Sequence, residues 1–423
     1  MPATNEKRPW IAVWVLCAGM IIAYIHRVDL SSALPLMSDE FGWSATQVGQ
    51  AGAAFFWIYF MLQIPAGLAA DRWGVRFVYW VGFLIWCVAT AATALTATFG
   101  MLIGLRLLLG IGQSILTPAG MRYIRLRFDE EQRGSAVGIF MAGTKIGPAL
   151  GFVISAYLLE AFGWRGMFAV LGLGALVWFV PFFLQIKKDD PAGQPAQGDD
   201  ARGGGSLSTR DLLRSPVIWG TILGTYCYMY FVYYCMTWMP SYFKQQYGMS
   251  IKEQGWYSAV AFGGMAIVII LAGRAADALI QRGYDPVNVR KGFTIAGFLC
   301  AATQTIAAFT DSVPVMLFFA VFSLCGLGLM TANYWALTQT LIPGGRIALV
   351  VGIQNMASNF AGAVSPWLTG WLVDRTGNFD APIQSVGVWL AIGLASYIFL
   401  VRRKYAPKVE EVGTAALPPA IGQ

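Results

Sequence analysis

Twelve apolar runs of about twenty residues dominate this 423-residue chain and leave it few folds to choose from. They lie near 10–36, 45–70, 77–97, 99–124, 135–160, 166–186, 216–243, 254–276, 292–310, 313–342, 347–373 and 383–401. At 1.5 Å rise per residue, each is long enough to cross the hydrocarbon core of a bilayer as a helix. The expected fold is therefore an all-α membrane protein with twelve transmembrane helices. A composition of 57% hydrophobic and 12% charged residues agrees.

The net charge of +7 would suit a nucleic-acid partner if it formed one basic surface, but it follows topology instead. With the N-terminus taken as cytoplasmic, 22 of the 29 Lys and Arg fall in cytoplasmic segments. Only Arg165, Lys244, Lys252 and Arg375 fall outside, and Arg27, Arg106 and Lys145 lie within the membrane. That asymmetry predicts both termini in the cytoplasm and leaves nucleic acid without a binding surface. All six cysteines sit inside apolar runs, so disulfides and metal clusters are not expected. The single histidine, His26, has no Ser or Cys nucleophile arrangement around it, so neither an enzyme nor a cofactor is expected.

Arg27 stands about halfway along the first run, where a guanidinium costs about 3 kcal/mol or far more. A cation at that depth needs either a structural carboxylate or carbonyl, or an anion that comes and goes. Asp29 is two residues on, about 200° round the helix, and points elsewhere. The second reading, an anionic substrate, is therefore favoured. Two more cations are buried. Arg106 lies in the fourth run, two turns before Gln113, and Lys145 lies in the fifth, next to Thr144. Lys145 has three readings: an ion pair with Asp29, a second handle on the anion, or a proton carrier.

The second run ends in Gly67-x3-Asp71-Arg72-x-Gly74-x-Arg76. A partial copy, Gly273-x3-Asp277, follows 206 residues later, and Arg133-x4-Gly138 is echoed by Arg346-x5-Gly352. Duplication on this scale predicts two pseudo-symmetric six-helix halves with a site at their interface. The halves would span 1–186 and 216–404. A Gly-, Pro- and charge-rich cytoplasmic linker over 187–215 would join them, and 405–423 would be a disordered tail. The first half carries the buried charge. The second supplies rings and amides, among them Tyr226, Tyr228, Tyr230, Tyr233, Tyr234, Asn333, Tyr334, Trp335, Gln354, Asn355 and Asn359.

The Gly-x3-Asp-Arg-x-Gly-x-Arg spacing resembles the loop signature of the major facilitator superfamily, where Asp and Arg form an inner-face latch. That likeness assigns gating to Gly67, Asp71, Arg72, Arg76, Arg133 and Asp277. Most of the chain, roughly 10–400, resembles the superfamily's anion:cation symporters, which include sugar-acid carriers. The likeness is carried by Tyr24-Ile-His-Arg27-Val-Asp-Leu-Ser, Arg133-Gly-Ser-Ala-Val-Gly138, Thr237-Trp-Met-Pro-Ser-Tyr242, Trp335 and Asn355. It implies a bacterial inner-membrane transporter whose Tyr24 and Arg27 bind a substrate carboxylate. Thr144, Trp335 and Asn355 would complete the pocket. Gln113, His26 and Lys145, where this chain differs from the family pattern, are further candidate substrate contacts of its own.

This chain departs from the pattern at two positions. Bacterial sugar-acid members commonly carry Asp where His26 stands and Glu where Gln113 stands, and those acids carry coupling protons. His26, Lys145 and Asp29 are left as candidate proton carriers. The reading is a proton-coupled secondary transporter of an organic anion working by alternating access. An anion exchanger, a metabolite or drug exporter, and a transport-like receptor are the alternatives. The fifth-run spacing Gly143-x3-Gly147-Pro148-x2-Gly151 looks like an exporter motif but would serve tight helix packing equally well.

Overall fold

The computed structural model describes residues 7–186, 214–310, 312–342 and 347–406. The expected linker over 187–213, Arg346 of the expected echo, and the tail beyond 406 lie outside the described residues.

The described residues fold into the twelve expected passes. The first half begins with α1 (Lys7–Phe41), α2 (Ala45–Trp73), α3 (Val75–Thr93) and α4 (Phe99–Arg127). A continuous helical run from Glu130 is broken only at Gly163, whose φ of 66 suits a residue without Cβ, and this divides α5 (130–162) from α6 (164–185). The second half comprises α7 (Pro216–Tyr247), α8 (Ile251–Gln281), α9 (Pro286–Ala302, continued by a 3₁₀ segment), α10 (Val313–Leu341), α11 (Ile347–Thr376) and α12 (Asp380–Leu400). Ser44 takes the amide of Gln47 while the Gln47 side chain returns to the Ser44 amide, a reciprocal cap that starts α2.

The core is apolar, as in a water-soluble protein, but so is much of the outer surface. Leu68, Leu95, Val177 and Leu184 are exposed, while Asp29, Arg106, Gln113 and Gln354 are buried. The two halves meet where α2 packs on α11, α5 on α8 and α1 on α7. Within the first half, α1 and α5 approach through a glycine seam. A Cβ on Gly147 would lie 2.5 Å from the Tyr24 Cβ, and one on Gly151 2.5 Å from a Val28 methyl. The exporter-like spacing thus has a packing use. It also brings α5 to the level of Tyr24.

One end of the bundle, here called proximal, carries the first and last described residues. The other, distal end carries the α1–α2 turn. Among the described residues, the ion pairs that join the halves, Lys244–Asp39 and Lys252–Glu160, both lie at the distal end. There too the Asp374 carboxylate of α11 accepts the backbone amides of Ala45 and Thr46, at 2.9 and 2.7 Å, and so holds the start of α2.

Candidate functional site

The α1 helix carries Arg27 to the interface of the halves, part-buried. Its Nε donates to Gln113 Oε1 at 2.9 Å. The Gln113 amide nitrogen is itself tied to the Ala23 carbonyl at 3.0 Å, so the side chain is aimed before Arg27 meets it. An amide orients the guanidinium without neutralising it, as a carboxylate there would. Three rings lie close about the guanidinium, with centroids at 4.2 Å for Tyr24, 4.8 Å for Phe55 and 4.6 Å for Tyr59. Among the described residues no carboxylate pairs with Arg27.

Next to Arg27 the helices leave a small cavity. It lies between α1, α2, α4 and α7 and is lined by Arg27, Leu30, Ser31, Gly52, Phe55, Phe56, Arg106, Leu109, Met236 and Thr237. Its two cations differ in kind. Arg106 has a counter-ion, Asp29, at 3.6 Å; Arg27 has none among the described residues. Of the three readings of Lys145, the ion pair with Asp29 is thereby excluded. Asp29 faces α4, whereas Lys145 lies on the stripe Lys145, Ala149, Phe152, Ala156 that α5 turns towards α8. Along that stripe Phe152 meets Phe262 at 5.5 Å, and Ala156 meets Gly255. Among the described residues no hydrogen bond or ion pair reaches the Lys145 ammonium, which is part-buried.

The remaining predicted site residues are dispersed. Arg27, Tyr24 and Gln113 form one cluster. His26 is turned away from it, 1% exposed, with Nδ1 3.3 Å from the Thr90 hydroxyl. The Thr144 hydroxyl donates to the Met141 carbonyl. Its place on α5 lies between the α1-facing glycines and the α8-facing stripe, opposite the exposed Leu150 and Tyr157. Trp335 packs on Tyr334 at 5.0 Å, and Asn355 donates to Gln63 of α2 at 2.7 Å, a hydrogen bond between the halves.

At the proximal end Asp71 pairs with Arg122 of α4, Arg76 lies over the Phe183 ring at 5.2 Å, and Arg133 donates to the Phe128 carbonyl. Gly67 faces Pro118, Arg72 is exposed, and Asp277 stands 4.0 Å from Arg290 of α9.

Sequence reasoning missed three features. Phe55 and Tyr59, one turn apart on α2, wall Arg27, and their i, i+4 spacing was legible. Arg106 takes Asp29 and lines the cavity. The third is Asp374. It stands in Gly370-Trp-Leu-Val-Asp374-Arg375-Thr-Gly377, which repeats the Gly-x3-Asp-Arg-x-Gly spacing of Gly67–Gly74 at the opposite end of the bundle. A Cβ on Gly370 would lie 2.1 Å from the Ala45 carbonyl oxygen, so the small residue admits the start of α2 and the acid holds it.

Comparison with known proteins agrees with this architecture. The sequence model of the Major Facilitator Superfamily matches residues 11–366 and 244–421. A probable L-galactonate transporter of Escherichia coli K12 is 28% identical over 404 residues, covering 93% of this chain and 89% of that protein. A probable sulfoacetate transporter of Cupriavidus necator is 30% identical over 401 residues, covering 91% and 92%. The crystal structure of a bacterial homologue of the human lysosomal transporter Spinster, inward-facing and occupied, superposes with a TM-score of 0.80. It is 16% identical and covers 96% of this chain and 99% of that one. The chain belongs to the Major Facilitator Superfamily. It is a multi-pass membrane transporter of that superfamily and not an enzyme.

Proposed function

We propose that this protein carries a small organic anion, a carboxylate or sugar acid, by alternating access of its two halves, with a proton as the coupling ion. The observation that carries the reading is Arg27. It is a cation within a membrane helix, oriented by Gln113 and ringed by Tyr24, Phe55 and Tyr59, with no carboxylate partner among the described residues. Such a group is unstable alone and is satisfied by an anion that enters. The galactonate and sulfoacetate specificities in the relatives' names support an organic anion as substrate.

Lys145, without a partner among the described residues and on the α8-facing side of α5, serves as a second handle beyond Arg27, and Thr144, Trp335 and Asn355 line the path. The protein sits in a bacterial inner membrane with both termini in the cytoplasm, as the distribution of Lys and Arg supports. The distal end is then the outer face, and the distal ion pairs close the outer gate.

The test is thermal stabilisation of purified protein by galactonate, glucuronate, sulfoacetate and benzoate, followed by uptake into proteoliposomes. At a hundredfold excess over Kd, a ligand stabilises the fold by about 2.7 kcal/mol. Wild type should respond to at least one of the four. Arg27→Lys keeps the charge but loses the planar fork, so it should insert normally and lose that response. Stabilisation and uptake by Arg27→Lys equal to wild type would remove Arg27 from the site.

A further inference from the structure

The ion pair behind the cavity answers a question that the anion site raises, namely where a proton could ride. Asp29 is 0% exposed; its Oδ1 accepts the backbone amide of Leu30, and among the described residues its Oδ2 has no hydrogen-bond partner. Arg106 is 2% exposed, stands 3.6 Å away, and among the described residues has no hydrogen-bond partner for Nε or Nη2. The two are thus held by charge and not by a formed hydrogen bond. Arg106 also lines the cavity beside Arg27. A buried guanidinium with unused donors, open on one side to a void and on the other to its counter-ion, can serve either of two anions.

We propose that Arg106 is shared between Asp29 and the substrate, and that Asp29 takes up the transported proton when the substrate draws Arg106 away. This inference rests on the anion-carrier reading above. With the cavity empty, Arg106 holds Asp29 as a carboxylate. When the substrate's anionic group settles between Arg27 and Arg106, Asp29 loses its counter-ion in a site closed to water. The ionised form cannot persist there, and the carboxylate binds one proton to become a neutral acid. When the anion leaves on the other side, Arg106 returns and the proton is released. One proton per monoanion leaves the net charge of the cluster the same when loaded and empty, so both forms cross the membrane barrier on equal electrostatic terms.

The surroundings single out Asp29. Arg106 of α4 is the charged group that acts on it from a neighbouring helix. On α1 itself, Arg27 is bound to Gln113 of α4, and His26 is packed against Thr90 of α3. On α5, which packs on α1, Lys145 lies on the stripe facing α8, and on α7 Lys244 is paired with Asp39 at the distal end.

The experiment uses full-length protein in proteoliposomes, with the monoanions galactonate as first probe and glucuronate as second, an imposed pH gradient and no membrane potential. Wild type should accumulate the anion about tenfold per pH unit, since one unit of gradient is worth a factor of ten in equilibrium. Asp29→Asn should lose that accumulation entirely. It should still exchange internal for external anion within a fewfold of the wild-type rate, because Arg27 and Arg106 remain. Asp29→Glu, which keeps the acid, should retain gradient-driven accumulation. In a weakly buffered detergent solution, wild type should take up one proton per bound anion, and Asp29→Asn none. Tenfold accumulation by Asp29→Asn, or anion binding to wild type without proton uptake, overturns the proposal. If wild type neither binds nor moves any of the four acids, it is the anion-carrier reading that fails. The two failures are therefore distinguishable.

Discussion

Replacing Asp374 with Asn tests whether the distal contact between the halves is a gate. The carboxylate accepts two backbone amides at the first turn of α2, Ala45 at 2.9 Å and Thr46 at 2.7 Å. Asn keeps one acceptor oxygen and loses the charge. A charge-assisted hydrogen bond is worth about 1.5–3 kcal/mol when buried, and a negative charge at a helix start about 0.3–1 kcal/mol. Asp374 is solvent-exposed, so screening reduces both, and about 1–2 kcal/mol is a fair total. If the contact exists only in the state closed at the distal end, that loss shifts the closed-to-open ratio by about 5- to 30-fold. The shift can be read in a background without native cysteines, with Thr237→Cys in the cavity wall as the reporter. A membrane-impermeant maleimide added to right-side-out vesicles should label it about 5- to 30-fold faster in Asp374→Asn. Labelling within twofold of the parent would refute the reasoning and reduce Asp374 to an ordinary helix cap.

Three further outcomes follow from the same geometry. Asp71→Asn breaks the proximal pair with Arg122 but touches no cavity residue, so turnover should fall while affinity in a binding assay stays within a fewfold; complete loss of binding in folded protein would contradict that assignment. Lys145→Met should weaken a dicarboxylate or hydroxy acid at least tenfold more than a truncated monocarboxylate, measured by thermal shift, and equal losses would strip Lys145 of its role as a second handle. Gly147→Val drives a side chain into the Tyr24 Cβ, which a Cβ alone would already approach to 2.5 Å, so stability in detergent should drop by about 1–3 kcal/mol and uptake should fall with it. An unchanged melting temperature would mean that α1 and α5 separate more readily than their seam suggests.

The apolar runs by themselves determined that the chain crosses a membrane as twelve helices, because bilayer thickness and the need to satisfy every backbone amide leave no other use for such segments. The burial of Arg27 was legible for the same reason, since its depth along α1 follows from rise per residue. So was Asp29 facing away from it, since helical periodicity sets angles within one helix. Periodicity says nothing about how two helices are rotated against each other. Tertiary packing alone therefore decided that Asp29 meets Arg106 and not Lys145, since both cations were buried and only the placement of α4 and α5 around α1 separates them. The same holds for Arg27 and Gln113, 86 residues apart, and for Asp374 and Ala45, 329 apart. The repeated Gly-x3-Asp-Arg-x-Gly spacing was on the page in both places, but which helix each acid would hold depended on which helix end the fold brought beside it.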